Sequence, residues 1–468
     1  MAPRPDLRLV EPGAAHRVPA SSGSPRLPEE RAALGPALEL AALGAGLTLV
    51  AVLMGRLPGW IHDLRAFQGL FVLGVAFYAL TLLRLKRYAT LPRVGGAVFV
   101  VALAVRVALL PAPPSLSDDI YRYVWEGRVL LHGGNPWAQS PRDPALTALR
   151  DRRVYPAVNH PELATIYPPL AEAGFALVAA LSPTVLAMKG WVVAHDLGLV
   201  ALLIALLRRQ GLSPALGIVY AWNPLVWVEH AGSGHNDPTA MLWLLVALGA
   251  GRSRPMLSAA ALAAGALVKL APLAALPFLW RQWPWRARGL ALGLLAAGLG
   301  AYGWATRGAN SGLHAYWETW RNNALVFEVL ERWTGSFRVA RALGVAAVLG
   351  LVVWALTRGW PATRGTRAAF KCALLVSPVA HPWYQGWYLM LEPFAPSAPW
   401  ILLSATAILS YGVFATPAEG RNYHLPFAWR LVEYGAPALL AVALACARAR
   451  RARATPGSGH HAGEGADV

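Results

Sequence analysis

The feature that most constrains the fold of this chain is a series of apolar stretches about as long as a bilayer is thick. They include residues 33–54, 66–83, 94–110, 342–356 and 427–446. A helix needs roughly 20 apolar residues to cross a bilayer. Soluble domains carry roughly 25% charged residues, whereas this chain of 468 residues carries 14% and is 56% hydrophobic. The sequence therefore predicts an all-α, polytopic transmembrane protein with about 12–14 membrane segments, some of them short or re-entrant.

The ends of the chain differ from its middle in composition. We expect a transmembrane domain over residues 31–447, with a hydrophilic outer loop over residues 112–165. Residues 1–30 are rich in Pro, Arg and Ser and lack a long apolar stretch, so they predict a disordered cytoplasmic tail and not a cleaved signal peptide. Residues 448–468 predict a second disordered cytoplasmic tail.

The net charge of +18 is distributed in a way that indicates membrane topology. Basic residues gather in short connectors and at the carboxyl terminus, at residues 84–88, 208–210, 251–254, 281–288 and 448–454. Cytoplasmic loops of membrane proteins carry such an excess. We therefore expect the lipid bilayer as a partner, no nucleic acid, and a multi-pass location in the cell membrane. The two cysteines lie far apart in apolar segments and predict neither a disulfide nor a metal cage.

Charge parity gives a topology. With the amino-terminal tail inside, the stretch SDDIYRYVWEGR at residues 117–128 lies on the outer face. Two later stretches break the alternation. The first stretch fits the alternation if it forms a re-entrant pair of short helices that turns at residues 269–272, where proline does not continue a helix cleanly. A break near His195 and Asp196 repairs the second and makes Asp196 a second outer acidic site. The alternative is that one arginine cluster violates the rule.

Polar and aromatic residues from separate parts of the sequence fall on this one predicted face. A charge inside a membrane costs roughly 2.5–3.5 kcal/mol on insertion scales, so it normally faces a cavity or a partner. Interfacial Trp and Tyr, a helix N-cap at Asp118 or a structural histidine would each explain one of them. Their shared side indicates a site, whose candidates are Asp118, Asp119, Arg122, Tyr167, His235, Asp237, Lys269, His381, Trp383 and Tyr384.

The stretch SDDIYRYVWEGR itself predicts an amphipathic helix lying at the outer surface. Asp119, Arg122 and Glu126 follow the spacing i, i+3, i+7 and share one face. Ile120 and Val124 lie on the other face. The following HGGNPW ends the helix with Gly, Asn and Pro. A surface helix alone does not need two acids at its start.

A series of motifs makes the chain resemble a known superfamily. In order they are DDIYRYVWEGRVLLHGGNPW, IYPPLAE, YAWNPLVWVEHAGSGHNDP, LVKLAPLAALPF and HPWYQGWY, from about residue 117 to residue 395. The combination resembles the GT-C membrane glycosyltransferases, and most of all the bacterial polyprenyl-phosphate-mannose-dependent mannosyltransferases. The resemblance implies a multi-helix GT-C fold, an acidic residue in the first large outer loop, a lipid-phosphate sugar donor and transfer on the periplasmic or extracellular face. The register acid-x-Tyr-x-Tyr places Asp119 in the key position, and the adjacent Asp118 leaves the assignment between the two open.

The chemistry of sugar transfer agrees with that implication. A base must take the proton of the acceptor hydroxyl, and a positioned carboxylate does so with a gain of roughly 100- to 10,000-fold. We assign the base to Asp119, with Asp118 as a like-charged neighbour able to raise its pKa. Donor phosphate and sugar would bind through cationic, hydrogen-bonding and aromatic groups: Arg122, Lys269, His235, Asp237, His381, Trp383, Tyr384 and Tyr167. No cofactor is certain, although the paired acids leave Mg²⁺ or Mn²⁺ open.

Two other classes of protein fit some of these features. A transporter or flippase of a lipid-linked sugar would be expected to show paired repeats with interrupted helices, and the sequence has no convincing internal repeat. A membrane acyl- or phosphotransferase would usually centre on a cytoplasmic histidine, whereas these histidines are predicted outside. The sequence thus favours a glycosyltransferase, with mannose as the expected sugar and a glycan or glycolipid hydroxyl as the acceptor.

Overall fold

The computed structural model describes residues 27–307, 311–415 and 425–454, and within them the regular structure is helical, without a β-strand. The predicted all-α fold is confirmed. The helices of the first half are α1 (Leu27–Gly55), α2 (Leu64–Leu83), α3 (Leu85–Tyr88), α4 (Val94–Leu109), α5 (Asp119–Leu131), α6 (Pro169–Leu181), α7 (Val185–Arg209), α8 (Ile218–Ala221), α9 (Pro224–Trp227), α10 (Asp237–Ala250) and α11 (Pro255–Val268).

The second half continues with helices of 5 to 28 residues. They are α12 (Leu276–Trp280), α13 (Trp285–Ala305), α14 (Gly312–Thr319), α15 (Leu325–Thr334), α16 (Phe337–Thr357), α17 (Ala362–Val376), α18 (Gln385–Leu389), α19 (Ala398–Thr406) and α20 (Phe427–Ala454). Short 3₁₀ turns connect many of them, and a π-helical turn, Val228–Ser233, precedes α10.

Long apolar helices make this a polytopic membrane protein. In the described part of the chain, six stretches are long and apolar enough to cross a bilayer: Leu34–Gly55, Leu64–Leu83, Val185–Arg209, Phe337–Thr357, Ala398–Ala415 and Phe427–Arg451. Large apolar side chains such as Leu83 and Leu181 are more than four-fifths exposed. A lipid-facing surface accounts for that exposure, because soluble monomers rarely expose extended apolar surface. Shorter apolar helices accompany these six, and the predicted total of 12–14 segments stays a prediction.

The predicted break at His195 and Asp196 is wrong. Helix α7 runs without interruption through both residues, and its 25 residues span roughly 37 Å at 1.5 Å per residue, enough for the whole hydrocarbon core. Asp196 is fully buried and forms an ion pair with Arg106 of α4, with Nε to Oδ2 at 2.5 Å. Tyr220 donates a second hydrogen bond to it at 2.6 Å. Because partners inside the protein neutralise the charge, Asp196 does not need an outer turn and forms no outer acidic site.

The predicted helix break at Lys269 is observed. Helix α11 ends at Val268, Lys269 is extended at φ −156° and ψ 137°, and a 3₁₀ turn with Pro272 follows. The 14 residues of α11 span roughly 21 Å, less than the bilayer core. The break therefore places Lys269 at the end of a short helix packed against α10. Re-entrance into the membrane stays a prediction.

Helix α5 forms where predicted but lies inside the protein and not on its surface. Most of its apolar residues and the charged pair Arg122 and Glu126 are buried, whereas Leu131 at its end is 47% exposed. The backbone of α6 approaches α5 at Gly127, where a Cβ atom would clash with the carbonyl oxygen of Phe175. The amphipathic pattern was misleading because the polar face of α5 meets protein partners in place of water.

Candidate active site

The two acids at the start of α5 share one amide. Asp118 occupies the N-cap position without a capping hydrogen bond from its side chain, so the simple helix-cap explanation fails. The Nδ2 group of Asn159 donates to Oδ1 of Asp118 at 2.8 Å and to Oδ1 of Asp119 at 2.7 Å. Desolvation by neighbouring protein atoms raises the pKa of Asp118, and the negative charge of Asp119 raises it further. Part of the Asp118 residue is nevertheless exposed to solvent. The Asp119 side chain remains 26% exposed, open to a substrate.

His235 faces this carboxylate pair from the loop before α10. The π-helical turn and Gly234, whose φ of +80° favours glycine, carry the chain to it. Its Nδ1 lies 3.0 Å from a carboxylate oxygen of Glu229, and its buried Nε2 has no hydrogen-bond partner within the described residues. Nε2 lies 4.0 Å from Oδ2 of Asp119. Burial lowers the pKa of His235, but Glu229 and then Asp119 outweigh it and raise the pKa overall, which favours the imidazolium.

A stack of rings continues from His235. Its ring lies on Trp383, with centroids 3.8 Å apart and planes at 17°, and Trp383 lies on His381 at 4.1 Å and 7°. Tyr384 meets His381 edge-on at 5.3 Å. The hydroxyl groups of Tyr384 and Tyr316 are 3.0 Å apart. Burial and then the positive charge of His235 lower the pKa of His381 to about 3, so His381 is neutral.

Lys269 closes the cluster. Its Nζ lies 2.7 Å from Oδ1 of Asp237, which also accepts a hydrogen bond from Nε1 of Trp387 at 2.5 Å. The same ammonium lies 4.9 Å from the ring centroid of Tyr384 and 5.4 Å from that of Trp387. Asp237 is 2% exposed and the Lys269 side chain 26%. The lysine therefore does not simply extend to the lipid interface, and its head remains accessible.

Two of the residues predicted to bind the donor are engaged in contacts within the protein instead. Arg122 is buried, pairs with Glu126, and donates to the carbonyl oxygens of Asn159, His160 and Leu163. Its guanidinium holds the loop at residues 159–163 and with it Asn159, so these contacts lend no support to the predicted contact with a lipid phosphate.

The ring of Tyr167 is the second such case. It packs edge-on against Tyr123 at 5.1 Å and Phe175 at 5.5 Å, and it is 9% exposed. These contacts place it in the core beneath α5. The predicted free face for a sugar is therefore not available at Tyr167.

Some residues of the cluster escaped the sequence analysis. Glu229 and Trp387 stand inside the recognised motifs, and their place in a motif was the only signal for them. Asn159 lies in a loop without periodicity, and Tyr316 lies on α14, outside every motif. No local feature of the sequence predicts that the side-chain amide of Asn159 binds the carboxylates at the start of α5.

The cluster does not fit a divalent cation. Within the described residues, no group of three His, Cys, Asp or Glu side chains comes together as a metal site. Between the two carboxylates lies an amide N–H donor of Asn159, where a cation would need an oxygen ligand. No step of the chemistry is therefore assigned to a metal.

A family model matches this part of the chain. Its description is "Alpha-(1->6)-mannopyranosyltransferase, N-terminal domain", and it covers residues 35–285, more than half of the chain. The matched range contains Asp118, Asp119, His235 and Lys269 and ends before His381. No curated protein and no solved structure matches the chain.

Proposed function

Because the chain belongs to the alpha-(1->6)-mannopyranosyltransferase family and is therefore a glycosyltransferase, we propose that it uses a polyprenyl-phosphate mannose donor. It transfers mannose to a hydroxyl of a glycan or glycolipid acceptor, on the periplasmic or extracellular face of the cell membrane. The observation that carries this proposal is the accessible Asp119 carboxylate, held by Asn159 and facing Nε2 of His235, which has no hydrogen-bond partner in the part of the chain that the structure describes.

Asp119 acts as the general base. The gap of 4.0 Å between Asp119 Oδ2 and His235 Nε2 is too long for a hydrogen bond, so Oδ2 remains able to accept from the acceptor hydroxyl and Nε2 remains able to donate to the sugar donor. As the acceptor oxygen forms its bond to the anomeric carbon, its proton passes to Asp119 and the bond from that carbon to the phosphate oxygen breaks. The lipid phosphate leaves with the bonding electrons.

The departing phosphate gains negative charge, which Lys269 and His235 stabilise. Asp237 and the rings of Tyr384 and Trp387 fix the ammonium before the donor arrives. Glu229 fixes the imidazolium in the same way. Preorganised charges of this kind cost no reorganisation during the reaction. His381, Trp383 and Tyr384 border the same space and supply contacts for the sugar or the isoprenoid.

A donor-turnover assay tests the proposal. The purified protein in detergent is incubated with radiolabelled polyprenyl-phosphate mannose, with and without a mannoside acceptor. Parallel reactions contain a radiolabelled nucleoside diphosphate mannose or another radiolabelled polyprenyl-phosphate sugar. We expect a labelled glycosidic product only from the polyprenyl-phosphate mannose, and only with acceptor present. A product formed from the nucleotide sugar alone would reject the lipid donor. Movement of donor across vesicle membranes without a glycosidic product would reject the transferase mechanism and favour a flippase.

A further inference from the structure

A cavity of about 320 Å³ lies between α1 and the first half of α4 and has no role in the mechanism above. Its walls are apolar, and those that remain at least partly exposed are Leu34, Ala37, Ala41, Pro92, Ala97 and Val101. Asp118 and Asp119 follow the other end of α4, and from Val94 to Leu109 this helix rises roughly 22 Å at 1.5 Å per residue. The cavity is therefore a separate site, at the opposite end of α4 from the catalytic acids.

Small side chains create this cavity. At its inner end, Gly44 lets α1 pack closely on α4, because a Cβ atom there would lie 2.6 Å from Cγ2 of Val101. Towards the start of α4, the facing residues of the two helices are alanines, which leave the space between them unfilled. A Cβ atom at Gly96 would meet nothing within 4 Å, so the space is open there. Because Leu34–Gly55 is apolar enough to cross a bilayer, the opening faces lipid, and a hydrocarbon chain would supply the contacts that an empty space forfeits.

The start of α4 carries arginines without acidic partners. Arg93 stands between two residues of the cavity wall, Pro92 and Val94. The guanidinium of Arg208 lies against the next residue, Gly95, since a Cβ atom there would be 2.7 Å from its Nη2. In the part of the chain that the structure describes, neither arginine forms an ion pair. Both positive charges are therefore available to an anion.

The surrounding charges do not compensate these two arginines. Glu39 of α1, an acidic residue near this end of the helices, already pairs with Arg87 at 3.0 Å and with Arg84 at 3.7 Å. Residues 84–101 and 204–222 contain no acidic residue. A zwitterionic ligand would bring a further positive charge to this end of the helices, whereas a ligand with net negative charge would reduce the excess.

The backbone of Arg93 is consistent with a need for its side chain at this place. Its φ of +56° and ψ of 17° lie in the left-handed region, which favours glycine or asparagine. An arginine in this conformation is strained, and strain of this kind often accompanies ligand binding. Guanidinium groups bind phosphate oxygens through two parallel hydrogen bonds, which an exposed arginine such as Arg93 can offer.

We propose that this cavity holds one acyl chain of an anionic phospholipid and that Arg93 and Arg208 bind its phosphate. Basic pockets between transmembrane helices on the cytoplasmic side bind anionic lipid headgroups, and the charge pattern predicts this end of α4 on that side. The polyprenyl-phosphate donor does not fit the same site, because its phosphate must reach Asp119 beyond the other end of α4. The occupant is therefore a lipid of the membrane and not the substrate, and the inference is independent of the proposed transfer.

The first test concerns the headgroup. Phosphatidylglycerol and phosphatidylcholine with the same acyl chains are titrated into the purified full-length chain in detergent, and bound lipid is counted by native mass spectrometry. The wild type should bind phosphatidylglycerol more tightly. Arg93→Gln should lower that affinity roughly 5-fold, the contribution of one basic residue near an anionic lipid surface. Arg93→Lys should lower it less, because it keeps the charge. The matched control is Arg209→Gln, which removes an exposed arginine at the end of α7 and should stay close to the wild-type affinity.

The second test fills the cavity. Ala97→Phe places a ring in it, whereas Val100→Phe adds the same bulk to α4 at a position that is 62% exposed and outside the cavity. Ala97→Phe should lower the affinity for phosphatidylglycerol at least as much as Arg93→Gln, and Val100→Phe should not lower it. If Ala97→Phe does not fold, the comparison of Arg93→Gln with Arg93→Lys decides the proposal.

Three results would overturn the lipid site. They are equal affinity of the wild type for the two lipids, wild-type binding of phosphatidylglycerol by a folded Arg93→Gln or Ala97→Phe variant, and displacement of bound phosphatidylglycerol by an equal concentration of polyprenyl phosphate. In the last case the cavity would belong to the donor.

Discussion

Replacing Lys269 with methionine removes an ammonium that contacts both Asp237 and the space proposed for the donor phosphate. The substitution keeps a long unbranched side chain on the rings of Tyr384 and Trp387. Two effects should follow, and they can be separated. One is weaker donor binding, because a charged donor is lost. The other is a less stable protein, because Asp237, 2% exposed, keeps the hydrogen bond from Trp387 but loses its ion pair.

The two magnitudes follow from these contacts. A hydrogen bond to a charged group contributes roughly 1.5–3 kcal/mol, which corresponds to about a 10- to 150-fold loss of donor affinity. Removing one partner of a fully buried ion pair costs roughly 3–5 kcal/mol of folding stability, and the loss here should be smaller because the Lys269 side chain is 26% exposed. The double variant Lys269→Met with Asp237→Asn removes both charges and should recover most of that stability. It should not recover donor affinity, because the ammonium is still missing.

Donor affinity is measured by titrating polyprenyl-phosphate mannose into the purified variants, and stability by thermal unfolding in the same detergent. Asp237→Asn alone is the comparison, since it keeps the ammonium and its contacts with the rings of Tyr384 and Trp387, and its donor affinity should fall less than that of Lys269→Met. The reasoning is refuted if the double variant binds donor as tightly as the wild type. Lys269 would then serve only to neutralise Asp237.

Three further predictions concern topology, metal and pH. In a background without the native cysteines, Glu162→Cys should react with an impermeant thiol reagent in intact cells. Arg84→Cys, at a position equally exposed at 47%, should react only after the membrane is opened. The reverse pattern would invert the topology. A chelator should leave turnover at its untreated level, and a loss restored by Mg²⁺ or Mn²⁺ would show that a metal is required. Because the pKa of His235 is raised above 6.5, its proton is held at lower pH and lost as the pH rises through that raised value. Donor affinity should therefore fall on the alkaline side in the wild type and not in His235→Gln; parallel profiles would remove His235 from donor binding.

Where polar residues interrupt apolar helices, the sequence indicated correctly which side chains lie together. Asp119, His235, Lys269 and His381 come from four separate segments, and the structure brings them into one chain of contacts. Their signal was chemical: charge and aromatic surface beside apolar helices are costly unless they face a cavity or a partner.

The failures have a common physical cause, which is pairing over long sequence separations. The sequence analysis placed Asp196 at the outer face because its partner Arg106 lies 90 residues earlier and was not recognised. Arg122 read as a free cation because its carbonyl partners lie 37 to 41 residues later in an irregular loop. Neither partner can be found from local periodicity, and in both cases the hidden partner turned a predicted exposed charge into a buried one.

The central claim is that Asp119 takes the proton of the acceptor, and two isosteric variants test it most directly. In both Asp119→Asn and Asp118→Asn the remaining amide oxygen can still accept from Asn159, so the loop should keep its place. Steady-state transfer from polyprenyl-phosphate mannose is measured for both, with donor affinity as the control. Asp119→Asn should lower turnover at least ~100-fold with donor affinity nearly unchanged, and Asp118→Asn should lower it less. Near-normal turnover by a folded Asp119→Asn variant would contradict the account.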